Sequence, residues 1–192
     1  LIPLLIQHLS MSACFSESIS SLLMWSHYSD CHKGFALGYD LTSFLYPNTE
    51  GLMIFPVVYN DKKFDATQYI MYLMGNLMQV PFKNIDTLAQ IKVLLHKAKE
   101  WEYEKEWRII VSQFFKDFFY EKSYGDIYFD EYYSDKHYIK FIKPKSIYLG
   151  LDIDLKDEEK LIDICKFRKI NVYKMKKDKS GYNLKSEPKL EF

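Results

Sequence analysis

A chain of 192 residues has the length of one domain, since domains run to roughly 100–200 residues. The 26 Lys+Arg balance the 26 Asp+Glu, so no global field steers the chain to nucleic acid or to an anionic membrane. Arg108 and Arg168 are the only arginines, which argues against a surface that reads DNA bases through guanidinium forks, and the 17% aromatic content excludes a disordered tail.

Cys14, Cys31 and Cys165 form no CxxC pair, which fits reduced thiols in a cytoplasm. The chain starts at Leu1, and residues 1–6 are apolar apart from Pro3. Such a run is far short of the roughly 20 residues that span a bilayer, and it lacks the basic start of a signal peptide. The expectation is that further residues of the protein precede Leu1.

In chain order, Ser12–Phe15 reads as a short strand. Ser16 or Ser18 can cap a helix with apolar positions Ile19, Leu22, Leu23 and Trp25. That helix should end near Tyr28–His32, with Gly34 supplying the left-handed conformation. Phe35–Leu41 and Leu52–Tyr59 read as strands, the second with Pro56 at an edge or bulge. Tyr69, Ile70, Tyr72, Leu73, Asn76 and Leu77 keep a helical period, which Pro81 breaks and Ile85–Lys99 resumes. Glu102–Gln113 alternates as a strand, with Glu104, Glu106 and Arg108 on one face. Residues 114–138 hold eleven aromatics among charges and read as a hairpin or long loop. Ile139–Ile142 and Ser146–Leu149 are strands, Asp154 caps a helix to about Phe167, Ile170–Tyr173 closes the sheet, and the Lys-rich tail adds an edge strand. With no repeat or linker, residues 1–192 read as a single α+β domain, a mixed, mostly antiparallel sheet with flanking helices.

Two stretches could carry chemistry. In Met24–Gly34, Trp25, His27 and Tyr28 crowd a helix end. His27 suits a general base, a ligand donor or a metal ligand with Cys31 and His32. It equally suits a histidine that, with Tyr28, satisfies buried backbone. In Lys97–Arg108, two carboxylates and a guanidinium at a spacing of two fit either a surface ion-pair strip or a site. In the site, Arg108 orients Glu106 to accept a sugar hydroxyl or to stabilise a developing cation.

Weaker candidates are the acidic residues 152–159, which fit a helix N-terminus better than a Mg²⁺ site. The lysines Lys174, Lys176, Lys177 and Lys179 suit a solvated edge. The aromatics of 114–138 suit packing better than base stacking. No phosphate-loop, dinucleotide, zincin or α/β-hydrolase signature occurs.

Taken together, Cys14-Phe15-Ser16, Leu23-Met24-Trp25-Ser26-His27-Tyr28, His32-Lys33-Gly34-Phe35, Pro56-Val57 with Tyr59, and Lys97 ahead of Trp101, Tyr103-Glu104 and Glu106-Trp107-Arg108 resemble a large bacterial family. It is known as domain-of-unknown-function family 2971. The resemblance runs from about Cys14 to Gly150. Family members begin with a Lys-Tyr-Arg strand and an Asn-Asp-Pro turn, which this chain lacks. The family layout is similar to ADP-ribosyltransferase-like folds, and Glu104-x-Glu106 looks like the Glu-x-Glu of arginine-directed transferases. That likeness implies NAD as substrate, Glu106, Glu104 and His27 as catalytic residues, and Tyr28, Trp25, Ser16, Arg108 and Lys97 as NAD-binding residues.

The implied activity is an ADP-ribosyltransferase or NAD glycohydrolase, an effector of toxin or phage-defence systems with a nucleotide or protein acceptor. A non-enzymatic module that senses a nucleotide or partner is the alternative, and a metal-dependent nuclease using Glu104 and Glu106 is the third.

Overall fold

A computed structural model describes residues 10–42, 54–77, 89–112 and 143–192. The elements are β1 (Ser10–Ser16), α1 (Leu22–Tyr28), β2 (Phe35–Gly38), β3 (Ile54–Pro56), β4 (Val58–Asn60), α2 (Thr67–Leu77), α3 (Ala89–Leu95), β5 (His96–Ala98), a 3-10 helix (Lys99–Glu104), β6 (Glu106–Ser112), β7 (Ser146–Leu149), α4 (Leu155–Arg168), β8 (Asn171–Lys177) and β9 (Leu184–Leu190). The chain is α+β, as its sequence pattern predicts. No described helix is long and apolar enough to cross a membrane. The expectations for residues 1–6, 78–88, 114–138 and 139–142 lie outside the described residues.

The strands divide among three sheets: antiparallel β1-β6-β3, mixed β2-β7-β8-β9 and a parallel β4-β5 pair. Contacts group the chain into two compact units, one from residues 1–17 and 47–124, the other from 18–46 and 125–192.

In the first unit, β6 is central. It pairs with β1 so that Cys14 faces Arg108 and Ser16 faces Glu106, and with β3 so that Phe55 faces Arg108. The expected strand Leu52–Tyr59 is two strands in two sheets. Pro56, which has no N–H to continue a ladder, ends β3 on the edge of one sheet, and after Val57 strand β4 joins the other. The helix resuming after Pro81 ends at Leu95 rather than Lys99, because His96–Ala98 pairs in parallel with β4. The strand expected from Glu102 starts at Glu106. Lys105 sits in the left-handed region at φ 45°, which separates the 3-10 helix from β6. Among the described residues, Val57, Tyr69, Ile91, Leu95 and Ile109 are this unit's buried apolar residues.

In the second unit, α4 and α1 cover opposite faces of the four-stranded sheet. Alternation along β7 and β8 sends Ile147, Leu149 and Val172 to Ile153, Cys165 and Leu161 of the α4 layer. It sends Tyr148 and Met175 to Leu22 and Trp25 of α1. Full burial of each large side chain is worth about 1.5–3 kcal/mol.

The cap of α1 is Ser21, which accepts from the Met24 N–H at 3.3 Å, and not Ser16 or Ser18. Ser16 belongs to β1, and the Ser18 hydroxyl pairs with Ser20. Gly34 is not the left-handed residue either; Asp30, Cys31 and His32 take that role at φ 48°, 52° and 68°. Each costs about 1–2 kcal/mol outside glycine, and the turn is held by Gly34 N–H to the Ser29 carbonyl (2.7 Å) and His32 N–H to the Trp25 carbonyl (3.2 Å). Gly150 closes on this turn, where a Cβ would lie 2.1 Å from the His32 carbonyl oxygen.

Asp154 caps α4 through the Lys156 N–H at 2.9 Å, and β9 pairs antiparallel with β8. The lysines of β8 do not form a solvated edge. The strand is paired on both sides, Lys174 bonds the buried Glu158 at 2.8 Å, and Lys176 pairs with Glu187.

Candidate functional site

The Lys97–Arg108 stretch folds back on itself. β5 brings Lys97 beside Tyr59 of β4, and the 3-10 helix and the turn at Lys105 return the chain to β6. Glu104 and Glu106 are therefore not successive residues on one strand face. Glu104 ends the helix, Glu106 begins the strand, and the two carboxylates meet at the Lys97 ammonium. Lys97 Nζ donates to Glu104 Oε2 and, at 3.0 Å, to Glu106 Oε2. Arg108 clamps the other side: Nε donates to Glu106 Oε1 at 2.7 Å and one terminal nitrogen donates to Oε2 at 3.2 Å. The second terminal nitrogen donates to the Leu94 carbonyl, one of the open acceptors at the C-terminal end of α3.

The surrounding backbone is pinned with equal care. The Glu106 N–H donates to the Tyr59 hydroxyl at 2.8 Å, and the Val57 N–H donates to the Glu106 carbonyl at 2.9 Å. The Ser16 hydroxyl donates to the Glu104 carbonyl at 2.7 Å, and the Glu17 N–H to the Lys105 carbonyl at 3.2 Å. Ser16 is among the candidate residues of the sequence, whereas Tyr59 belongs there only to the Pro56-Val57-x-Tyr59 motif.

Glu104 and Glu106 are 2% and 6% exposed. Ionised groups survive such burial only when paired and hydrogen-bonded. Burial alone raises a carboxyl, but the Arg108 guanidinium, the Cys14 thiol and Lys97 outweigh it and hold Glu106 at about 2. Burial pulls Lys97 down, yet its bonds to Glu104 and Glu106 leave it above the ordinary lysine value. Arg108, pulled down by burial and raised more by Glu106, also ends above its ordinary value. Burial and the Glu106 carboxylate push the Cys14 thiol up, so Cys14 is a donor to Glu106 rather than a thiolate. Glu106 thus accepts about as many bonds as a carboxylate can take, roughly four.

In the second unit, Trp25 is a core residue. It is 3% exposed, packed with Met175 and Leu184, and its indole N–H donates to the Ile19 carbonyl at 2.7 Å. Trp25, expected among the NAD-binding residues, is thus enclosed in this core and offers no open ring face on which a ligand could stack. His27 and Tyr28 are exposed at the end of α1, their rings edge to face at 6.4 Å. The buried backbone there is served by Ser29, whose hydroxyl donates to the Trp25 carbonyl. Among the described residues, the buried Nδ1 of His32 has no hydrogen-bond partner. Among the described residues, no three His, Cys, Asp or Glu side chains are grouped to hold a metal ion.

The motifs that frame these residues have a counterpart among known families. Residues 24–109 match the model of a family described as "Protein of unknown function (DUF2971)". The resemblance read from the motifs is shown for this segment. It takes in the Met24–Tyr28 and His32–Phe35 motifs and the whole Lys97–Arg108 cluster; Cys14–Ser16 and Ile147–Gly150 fall outside it. No curated protein and no solved structure matches the chain.

Proposed function

We propose that this DUF2971 protein breaks the bond between nicotinamide and ribose in NAD, as an ADP-ribosyltransferase or NAD glycohydrolase, with Glu106 as the catalytic carboxylate. The observation that carries the reading is Glu106 itself: a buried carboxylate clamped between Lys97 and Arg108, which hold it ionised well below the ordinary carboxylate range. A group so poised is a poor general acid and a good stabiliser of positive charge.

In the reaction the electron pair of the C1′–N1 bond leaves with neutral nicotinamide, and positive charge develops on ribose C1′ and its ring oxygen. Glu106 accepts the ribose 2′-hydroxyl and stabilises that charge. An oxygen or nitrogen of the acceptor, water in the hydrolytic case, then bonds to C1′ and gives its proton to solvent. The 2′-hydroxyl takes the place of the Cys14 thiol, which unlike Lys97 and Arg108 is an uncharged donor to Glu106. Glu104 anchors Lys97, and Tyr59 and Ser16 fix the backbone on either side of Lys105.

A non-catalytic module that binds a nucleotide is the second reading, favoured by the saturation of both Glu106 oxygens. Incubation of the full-length protein with NAD separates them. Nicotinamide release that is lost in Glu106→Gln supports cleavage; saturable NAD binding with no release supports the module. A metal-dependent nuclease fits least, because both carboxylates are already bound by cations.

A further inference from the structure

The Lys97–Glu104–Glu106–Arg108 cluster is layered. The Glu104 and Glu106 side chains are 3% and 7% exposed, whereas Lys97 and Arg108 are 22% and 19% exposed. The negative charges are underneath and the positive ones are what the surface presents. The charges sum to zero, but an incoming group meets the cations first, and the nearer charge dominates.

Hydrogen-bonding capacity runs the same way. Lys97 has three N–H donors and gives two to carboxylates. Arg108 has five and gives four, to Glu106, Leu94 and the Cys14 sulfur. One N–H of each side chain is left over, and the two partly exposed cations together suit phosphate oxygens.

Beside them stands an aromatic platform. Trp101, on the 3-10 helix, is 39% exposed, the Lys97 ammonium lies 5.0 Å from its ring centroid, and Tyr103 lies 6.0 Å from it at a tilt. Lys97 therefore joins a cationic patch to an aromatic surface within one short segment. Such a juxtaposition suits a ligand that carries phosphate next to a flat ring.

The geometry points to Lys97 and Arg108 as the phosphate-facing pair, and Trp101 as the ring-stacking residue, of a nucleoside diphosphate site on this unit. This rests on the nucleotide reading of the cluster and adds which residues meet which part of the ligand. Trp101 takes over the stacking role that Trp25, closed inside its own core, does not fill.

The test is calorimetric titration of the full-length protein with ADP, adenosine and pyrophosphate, repeated on Trp101→Leu. Trp101 is at the surface, so its replacement leaves the buried ion pairs in place. Expected are saturable ADP binding, adenosine weaker by about tenfold or more because it lacks charge-assisted bonds, and ADP weakened about fivefold or more in Trp101→Leu with pyrophosphate binding unchanged. Lys97→Gln should lose pyrophosphate binding, read only if that variant keeps the wild-type circular dichroism.

Absence of ADP binding overturns the inference, as does equal affinity for adenosine and ADP, or an unaltered ADP affinity in Trp101→Leu. ADP binding of the expected pattern without nicotinamide release supports this site and refutes the cleavage reading. Nicotinamide release with no ADP discrimination does the reverse.

Discussion

Protonation of Glu106 should uncouple the cluster, and the size of the effect can be worked from its surroundings. Burial works against the charge, but Arg108, Cys14 and Lys97 hold the carboxyl at about 2, below the ordinary 4.5. A carboxyl lowered on folding adds stability above its unfolded value and loses it as the pH falls through the folded one. The window is therefore pH 4.5 down to about 2. At about 1.36 kcal/mol per pH unit the contribution reaches about 3 kcal/mol. Solvent near the exposed ends of Lys97 and Arg108 screens this to about 1–2 kcal/mol.

Glu106→Gln removes the charge at every pH. At neutral pH it leaves Lys97 paired with Glu104, takes from Arg108 the charge of Glu106, and costs about 2–4 kcal/mol, near the range for breaking a buried pair. For a chain of this length that is a fall in Tm of about 4–16 °C. Urea unfolding of both proteins between pH 7 and pH 3, followed by tryptophan fluorescence, reads the difference. It should narrow by about 1 kcal/mol or more as the pH drops below 4.5. A gap that stays constant from pH 7 to pH 3 would refute the charge-based reasoning.

Four further outcomes follow from the same contacts. Gly150→Ala places a Cβ against the carbonyls of His32 and Gly34 and should cost about 2 kcal/mol or more in chemical denaturation, whereas Gly181→Ala, which meets nothing nearby, should be neutral. Glu158→Gln strands the half-buried Lys174 and should lower stability by about 1–3 kcal/mol, more than Lys189→Ala, whose side chain is the more exposed of the two. Because burial and Glu106 raise the Cys14 thiol, its alkylation by iodoacetamide should be slow at pH 7.5 and faster in Glu106→Gln, measured by peptide mass spectrometry; equal rates would remove Cys14 from the cluster. Asp154→Ala loses the cap of α4 and should cost about 1 kcal/mol in thermal unfolding.

Much of the second unit could be read directly from residue order. The strand at Ser146–Leu149 and the Asp154 cap depend on near neighbours, which sequence displays, whereas the lysines of β8 lie on an inner strand because β9 pairs beyond it. The first unit depends on partners far apart in the chain. His96–Ala98 looks helical by period and becomes a strand because β4 offers it a parallel edge. Glu104 looks like a strand residue by alternation, yet Lys105, a lysine in the left-handed region, breaks the pattern with no glycine or asparagine to announce it.

The Glu104, Glu106 and Arg108 grouping was legible for an incomplete reason. Spacing suggested a shared strand face, and what joins them is Lys97 together with the turn at Lys105. Tyr59 enters the same cluster through a parallel pairing that local pattern does not encode. Likewise, Trp25 and Trp101 are indistinguishable as letters. Only packing separates the one closed in a core from the one open at the surface.

The central claim is that Glu106 supports cleavage of NAD, and release of nicotinamide by the full-length protein tests it most directly. The account predicts release that rises with protein concentration, falls to background in Glu106→Gln, and persists in Glu102→Gln, an exposed carboxylate on the 3-10 helix that precedes Glu106. Nicotinamide production unaffected by Glu106→Gln, or none from the folded wild-type protein with protein and nucleotide acceptors supplied, would contradict it.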